Sequence, residues 1–353
     1  MRRLIAILCV LLPVTSAAAQ EPENPTTIPE MWNSWCARCH GIDGTGKVPE
    51  PTVTVVPRDF TDCKTATGEA DPDWALAIEK GGPAVGLSSQ MPAFGDVLKS
   101  DQIQGFVDHL RKFCVESGWP DGNLNLPRPM FTEKAFPEDE LVVTPVASHV
   151  KGQRTEWTTE TTLEKRIAKR WQLELTQPFN SAVQGSDRFT GFGDFEIGMK
   201  WVANPNAHNH LVTGGIDVTT PTGSSAKGLG AGEAGFEPYI ATASAWGYSY
   251  FSTQFKIQMP KNGPWANEVT IYRMALSHDL DPSPSGLNLG IELTGENKDV
   301  ALTPQLRKGI SPSGAIAAAI GVSLPINNRD VQGVKWVGYV LWEFAEPVYW
   351  RRH

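Results

Sequence analysis

Cys36, Cys39 and His40 place two thiols and an imidazole within five consecutive positions, "CARCH". With five Cys and seven His among 353 residues, a C-x-x-C-H arises by chance in about one of several hundred such chains. The chemistry that needs this spacing is specific. Two cysteines one helical turn apart can bond the two vinyl-derived carbons of a haem. The histidine that follows then lies beside the ring and offers a nitrogen to the iron. Covalent attachment of one c-type haem is therefore expected, with Cys36 and Cys39 as its anchors and His40 as an axial ligand. Two other chemistries use the same residues: a thioredoxin-like C-x-x-C, and half of a zinc site, which lacks a second Cys/His pair in this sequence.

An iron held by His40 needs a sixth ligand or keeps an open position. Met91 lies in "GGPAVGLSSQMPAFGDVL", where a thioether on a Gly- and Ser-rich loop stiffened by Pro92 can lean on the far face of the ring. A core methionine is the plainer reading of Met91. His109, on a later helical segment that reads as an exposed face, is the rival ligand.

The compartment agrees with this chemistry. "MRRLIAILCVLLPVTSAAAQEP" has a basic start, an apolar run and an A-x-A site before Gln20, the pattern of a secretory signal peptide over residues 1–19. Cys9 lies inside it. Export to an oxidising compartment makes a Cys63–Cys114 disulfide the expectation for the remaining pair, two buried free thiols being the alternative. Residues 20–118 carry fifteen Asp/Glu against eight Lys/Arg, and residues 119–353 twenty-four against twenty-one. The acidity sits mainly in the first part, which argues against nucleic acid and for a periplasmic redox partner with a basic docking face.

The elements that position these groups change character along the chain. "TIPEMWNSWCARCH" reads as a helix running into the haem motif. "DPDWALAIEKG" has an Asp start, Pro72 in the first turn and Gly81 at the end. "KSDQIQGFVDHLRKFC" sets Ile103, Phe106, Val107, Leu110 and Cys114 on one face of a closing helix. Together "CARCHGIDGTGK", "PRDF", "IEKGG", "MPAFGDVL" and "DQIQGFVDHLRKF" resemble a class I mono-haem cytochrome c over residues 28–115. The resemblance implies an all-α electron-carrier domain (25–118) with Met91 as the sixth ligand. Phe60, Trp74, Phe94 and Phe106 become packing residues, and a backbone carbonyl in the Pro49–Pro57 loop becomes the acceptor that orients His40.

"GWPDGNLNLPRPMFTEKAFPEDE" is rich in Pro, Gly, Asn and charge and reads as an extended linker, 119–139. Beyond it the period becomes two. In "RWQLELTQPF", "GDFEIGMKW", "FSTQFKIQM" and "LNLGIEL" apolar and polar residues alternate. About twelve such runs, most too long for a soluble sandwich, point to an antiparallel transmembrane β-barrel over 140–353. Trp201, Trp246, Trp265, Trp336 and Trp350 near run ends suit interfacial girdles. "WANEVTIYRMALSH" changes phase midway and suggests a bulge or a misplaced boundary there. "LEKRIAKRWQLELTQPF", "GFGDFEIGMKW" and "PTGSSAKGLGAGEAGFEPYI" resemble outer-membrane barrels of the phenol-degradation-type transporter family, which implies outer-membrane lipid as the surroundings and a periplasmic start and end. Such barrels often end on an aromatic residue, whereas here Arg351, Arg352 and His353 follow Trp350.

No catalytic residue emerges. The fusion suggests electron transfer by a haem domain tethered to the outer membrane, on its periplasmic side. A twelve-strand lumen of roughly 12–15 Å cannot admit a folded domain about 30 Å across, so the haem domain is expected below the mouth. The alternatives are an outer-membrane channel for small solutes with a haem-sensing or redox-gating domain, and a redox subunit of a periplasmic dehydrogenase.

Overall fold

The computed structural model describes residues 25–48, 53–150, 155–184, 186–260, 268–329 and 333–344. The signal peptide, Trp265, Trp350 and the basic C-terminal residues lie outside them. The chain divides into a helical domain, a buried strap and a closed barrel.

The barrel follows from the period-two segments. Its strands are β1 (Asp139–His149), β2 (Glu156–Ala168), β3 (Trp171–Gln184), β4 (Asp187–Phe192), β5 (Phe195–Val202), β6 (His210–Thr220) and β7 (Gly235–Trp246). They continue as β8 (Ser249–Pro260), β9 (Val269–Asp279), β10 (Leu287–Glu296), β11 (Asp299–Gly309), β12 (Ile316–Pro325) and β13 (Val334–Glu343). Sequential neighbours pair antiparallel, and β1 pairs with both β2 and β13, which closes the sheet. β4 and β5 pair with successive halves of β3 and form one interrupted strand, so the barrel has twelve staves among the described residues. Closure pairs every stave on both sides apart from β4, which among the described residues pairs with β3 alone; crossing lipid with strands needs such closure.

Alternation decides which face meets which medium. Ile240, Phe255, Met274, Leu276, Leu289, Ile291, Ile320 and Val340 are exposed on the outside. Glu140, Glu164, Gln172, Lys200, Thr213 and Glu292 are buried inside. Trp171 and Trp201 pair across β3 and β5 with ring centroids 6.1 Å apart, and Trp246 and Trp342 are exposed at the same end. Trp336 is exposed nearer the other end. An apolar band between aromatic girdles around a polar interior is an outer-membrane barrel. Among the described residues no helix is long and apolar enough to cross a membrane.

The phase change in "WANEVTIYRMALSH" is not a bulge among the described residues of this stretch, 268–278, and the strand begins at Val269. β9 pairs without a register shift against β8 and β10. The apparent slip arises because Ile271 and Ala275 are small or apolar residues on the inner face, while Met274 and Leu276 stay outside. The breaks fall instead between Arg166 and Ala168 and at Gly193–Asp194. At the second, the Asp194 carboxylate accepts the backbone N–H groups of Gly223 (2.8 Å) and Ala231 (2.6 Å), which draws the 221–234 connection against the wall. Asn180 donates to the Leu229 carbonyl, and Leu229 is buried over Gly191.

The helical domain contains α1 (Ile28–Met31), α2 (Ala37–His40), α3 (Cys63–Ala66), α4 (Asp71–Lys80) and α5 (Ser100–Arg111). A wider helical turn, Trp32–Cys36, joins α1 to α2. Glu30 starts the first helix by accepting the N–H groups of Thr26 and Thr27 at 3.0 Å each. Met31, Trp32, Phe60, Trp74, Ile78, Ile103, Phe106, Val107 and Leu110 form one core, with Phe94 packed at its edge. Arg111 fastens α5 to it: the guanidinium lies 4.1 Å over the Trp74 ring, donates to Asp71 at 2.6 Å and donates to the Glu69 carbonyl. Cys63 and Cys114 are disulfide-bonded.

The 119–139 segment is extended, with one short turn at Gly122–Leu124, but it is no solvated linker. Leu124, Leu126, Met130, Ala135 and Phe136 are buried against the barrel's inner wall. Exposing that apolar set in water would forgo several kcal/mol, whereas the wall supplies both apolar patches and polar partners.

Candidate functional site

Two places bring chemistry-bearing residues together: the thiol and imidazole group of the helical domain, and the strap inside the barrel.

Cys36 and Cys39 are unbridged, half-buried thiols at the junction with α2, and His40 is its last residue. Gly41 ends the helix, and the Gly46 N–H donates to the His40 carbonyl at 2.8 Å, which turns the chain back. Gly44, at φ +73°, lies so near Phe113 that a Cβ would come within 2.7 Å of the ring. The turn after His40 is thereby pressed onto the end of α5. The His40 ring sits among Trp32 (centroids 5.9 Å apart) and Phe60 (5.3 Å), and burial pushes its pKa down to about 4. Burial, and then the neighbouring Cys39, push the Cys36 thiol up to about 12, so a thiol rather than a thiolate is held there.

Met91 is half-buried on the loop after α4. Its carbonyl accepts the Gly82 N–H at 3.1 Å, and its own N–H donates to the Ser88 carbonyl at 3.1 Å. A Cβ on Gly82 would meet the Ser88 oxygen at 2.2 Å, so only glycine permits this closure. The adjacent Gln90 side chain accepts the N–H and hydroxyl of Thr54, both at 3.0 Å, tying the Met91 loop to the segment beyond the haem motif. The helical domain thus holds all four expected ligands on one body.

His40 Nδ1 is buried and has no hydrogen-bond partner among the described residues. The expected carbonyl from the Pro49–Pro57 loop does not reach it among residues 53–57, and residues 49–52 lie outside the described set. A half-buried imidazole with an unmet Nδ1, two adjacent cysteines outside any disulfide and a methionine on a braced loop are residue types that fit a c-type haem. His109 is not on the exposed face expected for it. Its ring is half-buried, 5.5 Å from Trp32 and 5.2 Å from Phe113, and burial lowers its pKa.

The strap passes from the helical domain into the barrel and returns to β1. At its entry Asp121 is 2.8 Å from His208, and Trp119 stacks near the Arg166 guanidinium, 5.7 Å from ring centroid to Cζ. Leu124 and Leu126 then pack on Val202, Leu211, Tyr239, Ala241 and Ala243. Arg128 pairs with Glu140 (3.1 Å) and Glu164, while its carbonyl accepts the Tyr339 hydroxyl at 2.7 Å. Glu292, fully buried on β10, accepts the N–H groups of Met130 (3.0 Å), Phe131 (3.1 Å) and Thr132, and the Thr132 hydroxyl as well.

Further along, Glu133 bonds to Lys200 (2.7 Å) and Lys134 to Glu138 (2.7 Å) and Glu140 (3.0 Å). Thr213 donates to the Ala135 carbonyl at 2.7 Å, and Arg166 to that of Pro137 at 2.9 Å. The strap charges meet opposite charges from the wall or, for Glu138, from Lys134 of the strap itself, as buried ions require. A cavity of ≈ 10 Å³ remains between Pro127–Pro129 and wall residues Tyr250, Asn288 and Arg307, about the space of one water.

The helical domain caps this same mouth. Lys64 of α3 pairs with Asp139 at the start of β1 (3.1 Å), Lys169 of the β2–β3 turn with Glu116 (3.1 Å), and Gly86 of the Met91 loop lies against Pro312 and Ser313. Cys36, Cys39 and His40 stand out in the sequence as a motif, but the strap and Glu292 do not. The available signal was the apolar spacing Leu124, Leu126, Met130 and Phe136 inside a segment that otherwise reads as linker.

No family model and no curated protein matches this chain. Among solved structures, an outer membrane channel from Pseudomonas putida F1 aligns with a TM-score of 0.45 and 12% identity over 62% of this chain and 100% of that one. The KdgM porin in complex with disordered oligogalacturonate gives 0.42 and 9%, over 58% and 99%. The NanC porin gives 0.41 and 8%, over 58% and 98%.

Proposed function

We propose that the chain is an outer-membrane channel for small polar solutes that carries a c-type haem domain at its periplasmic mouth. The observation behind this reading is the polar bore. Glu160, Glu164, Lys200, Asp217, Glu237, Lys256, Arg273 and Glu292 line the interior, a charged lining compatible with water and polar solutes. Lys256 pairs there with Asp217 (2.6 Å) and Glu237 (3.2 Å), so wall charges are held in place for a solute to pass. The periplasmic assignment rests on the chain entering and leaving the barrel at the mouth that the helical domain covers.

In the helical domain Cys36 and Cys39 would anchor the haem, and His40 and Met91 would hold its iron. A haem bound so supplies a reversible one-electron couple. The protein's own part is to bury the imidazole, brace the thioether through Gly82 and Gln90, and fix the whole body over the pore. The test is flux of small sugars and amino acids from liposomes containing the intact protein, with ferricyanide or ascorbate outside. Flux that differs between the two conditions supports the reading, and tight vesicles under both contradict it.

A second reading, the membrane-tethered electron carrier, is favoured by the ligand set Cys36, Cys39, His40 and Met91. It predicts a low-spin spectrum, one reversible redox wave, and salt-sensitive reduction by a basic periplasmic partner. A high-spin spectrum with avid CO binding would count against it.

A further inference from the structure

The strap fills the periplasmic half of a bore that the channel reading requires to open. Both its ends, Asp121 beside His208 and Glu138 before β1, lie at the same mouth. It can therefore leave as a hairpin, with no chain end to thread through the barrel. Its bonds to the wall are of the kind that water can replace: carboxylates, ammonium groups, hydroxyls and backbone carbonyls. By contrast the wall itself is joined by continuous strand ladders. The segment is thus the weaker element of the interior, and it is covalently continuous with the helical domain, whose last helix is stapled through Cys114 to Cys63.

One wall residue dominates its seating. Glu292 takes three successive strap N–H groups and one hydroxyl. With Glu292 removed, those donors have no second partner on the wall among the described residues, and the tip of the loop loses its anchor. Arg273, which donates to the Phe131 carbonyl, and Gln254, which accepts the Glu133 N–H at 3.2 Å, flank the same turn. We propose that residues 121–138 are a tethered stopper for the pore, that Glu292 is the latch that holds it, and that the helical domain is the handle through which it is withdrawn. This rests on the channel reading.

Single-channel recording in planar bilayers tests it with full-length proteins: the native chain, Glu292→Ala, Thr132→Val, and a chain whose residues 123–136 are replaced by a Gly/Ser segment of equal length. Unboiled electrophoretic mobility confirms that each barrel is folded. The Gly/Ser chain is expected to stay open and the native chain to be mostly closed. Glu292→Ala should be open about tenfold more of the time than native, because buried donors are left unmet. Its open conductance should equal that of the Gly/Ser chain. Thr132→Val, which loses one hydroxyl, should show a smaller rise and keeps the test available if Glu292→Ala fails to fold. A conducting Gly/Ser chain with Glu292→Ala and Thr132→Val as closed as native would overturn the latch and leave the channel reading standing. A silent Gly/Ser chain would overturn both.

Discussion

In the helical domain Trp32, Phe106 and Val107 are buried while Lys, Asp and Glu side chains face out; in the barrel Ile240, Leu276 and Val340 face out while Glu164, Lys200 and Glu292 are buried. The two regions are inverted versions of each other. A helical domain in water gains its stability from an apolar centre. A barrel in lipid has no such drive between wall and surroundings, and its interior is free to carry charge as long as every ion is paired. The strap is where the two logics meet, since it offers apolar residues to one side of the lumen and ions to the other.

The comparison can be broken most decisively at the haem motif. Replacing Cys36 and Cys39 together by Ala should leave the helical domain without covalent haem while the barrel still assembles. The protein would be colourless in denaturing gels stained for haem yet retain its folded mobility. Loss of barrel assembly in that variant would mean the two regions are not separable in this way.

The inversion predicts next that similar damage comes from opposite substitutions. Phe106→Ala should cost the helical domain about 3–5 kcal/mol, and Ile291→Arg on the outer face of β10 should cost the barrel about 2–4 kcal/mol. Urea titrations in lipid vesicles measure both. An Ile291→Arg barrel as stable as the native one would place that face in water.

How far these features could be read from sequence depends on the range of the interactions. The strands were legible because alternation is local: Gln172, Glu174 and Lys200 fall inside by parity alone. The thiol and imidazole group was legible because its members lie within one turn. The break between β4 and β5 at Gly193–Asp194 has no local signal because it depends on Gly223 and Ala231, some thirty residues away. The strap was illegible for the same reason on a larger scale. Its Pro and Gly residues look like linker, and the partner that seats Thr132, Glu292, is 160 positions distant. His109 reads as exposed from its neighbours on α5 alone, whereas Trp32, at the start of the wide turn after α1, covers it.

A gentler perturbation concerns the contact between the two regions. Asp73 on α4 is half-buried; burial first, and then the carboxylates of Glu69 and Asp279, push its pKa up to about 8 against the opposing pull of Arg307 and Arg58. Its folded-state pKa is raised above the ordinary value of 3.8, so the folded, docked form holds the extra proton. Its contribution to stability is full below about pH 4 and is lost as pH rises through about 8. The melting midpoint of the helical domain should fall over that range, and Asp73→Asn should flatten the dependence. An unchanged slope in the variant would remove Asp73 from the interface.

Amide hydrogen exchange of the native protein in lipid nanodiscs tests the central arrangement most directly. If residues 121–138 are seated in the lumen, the amides of Met130, Phe131 and Thr132 will exchange as slowly as those of β10. If they exchange as fast as a solvated loop, the strap is outside the barrel and the account of a stoppered pore is wrong.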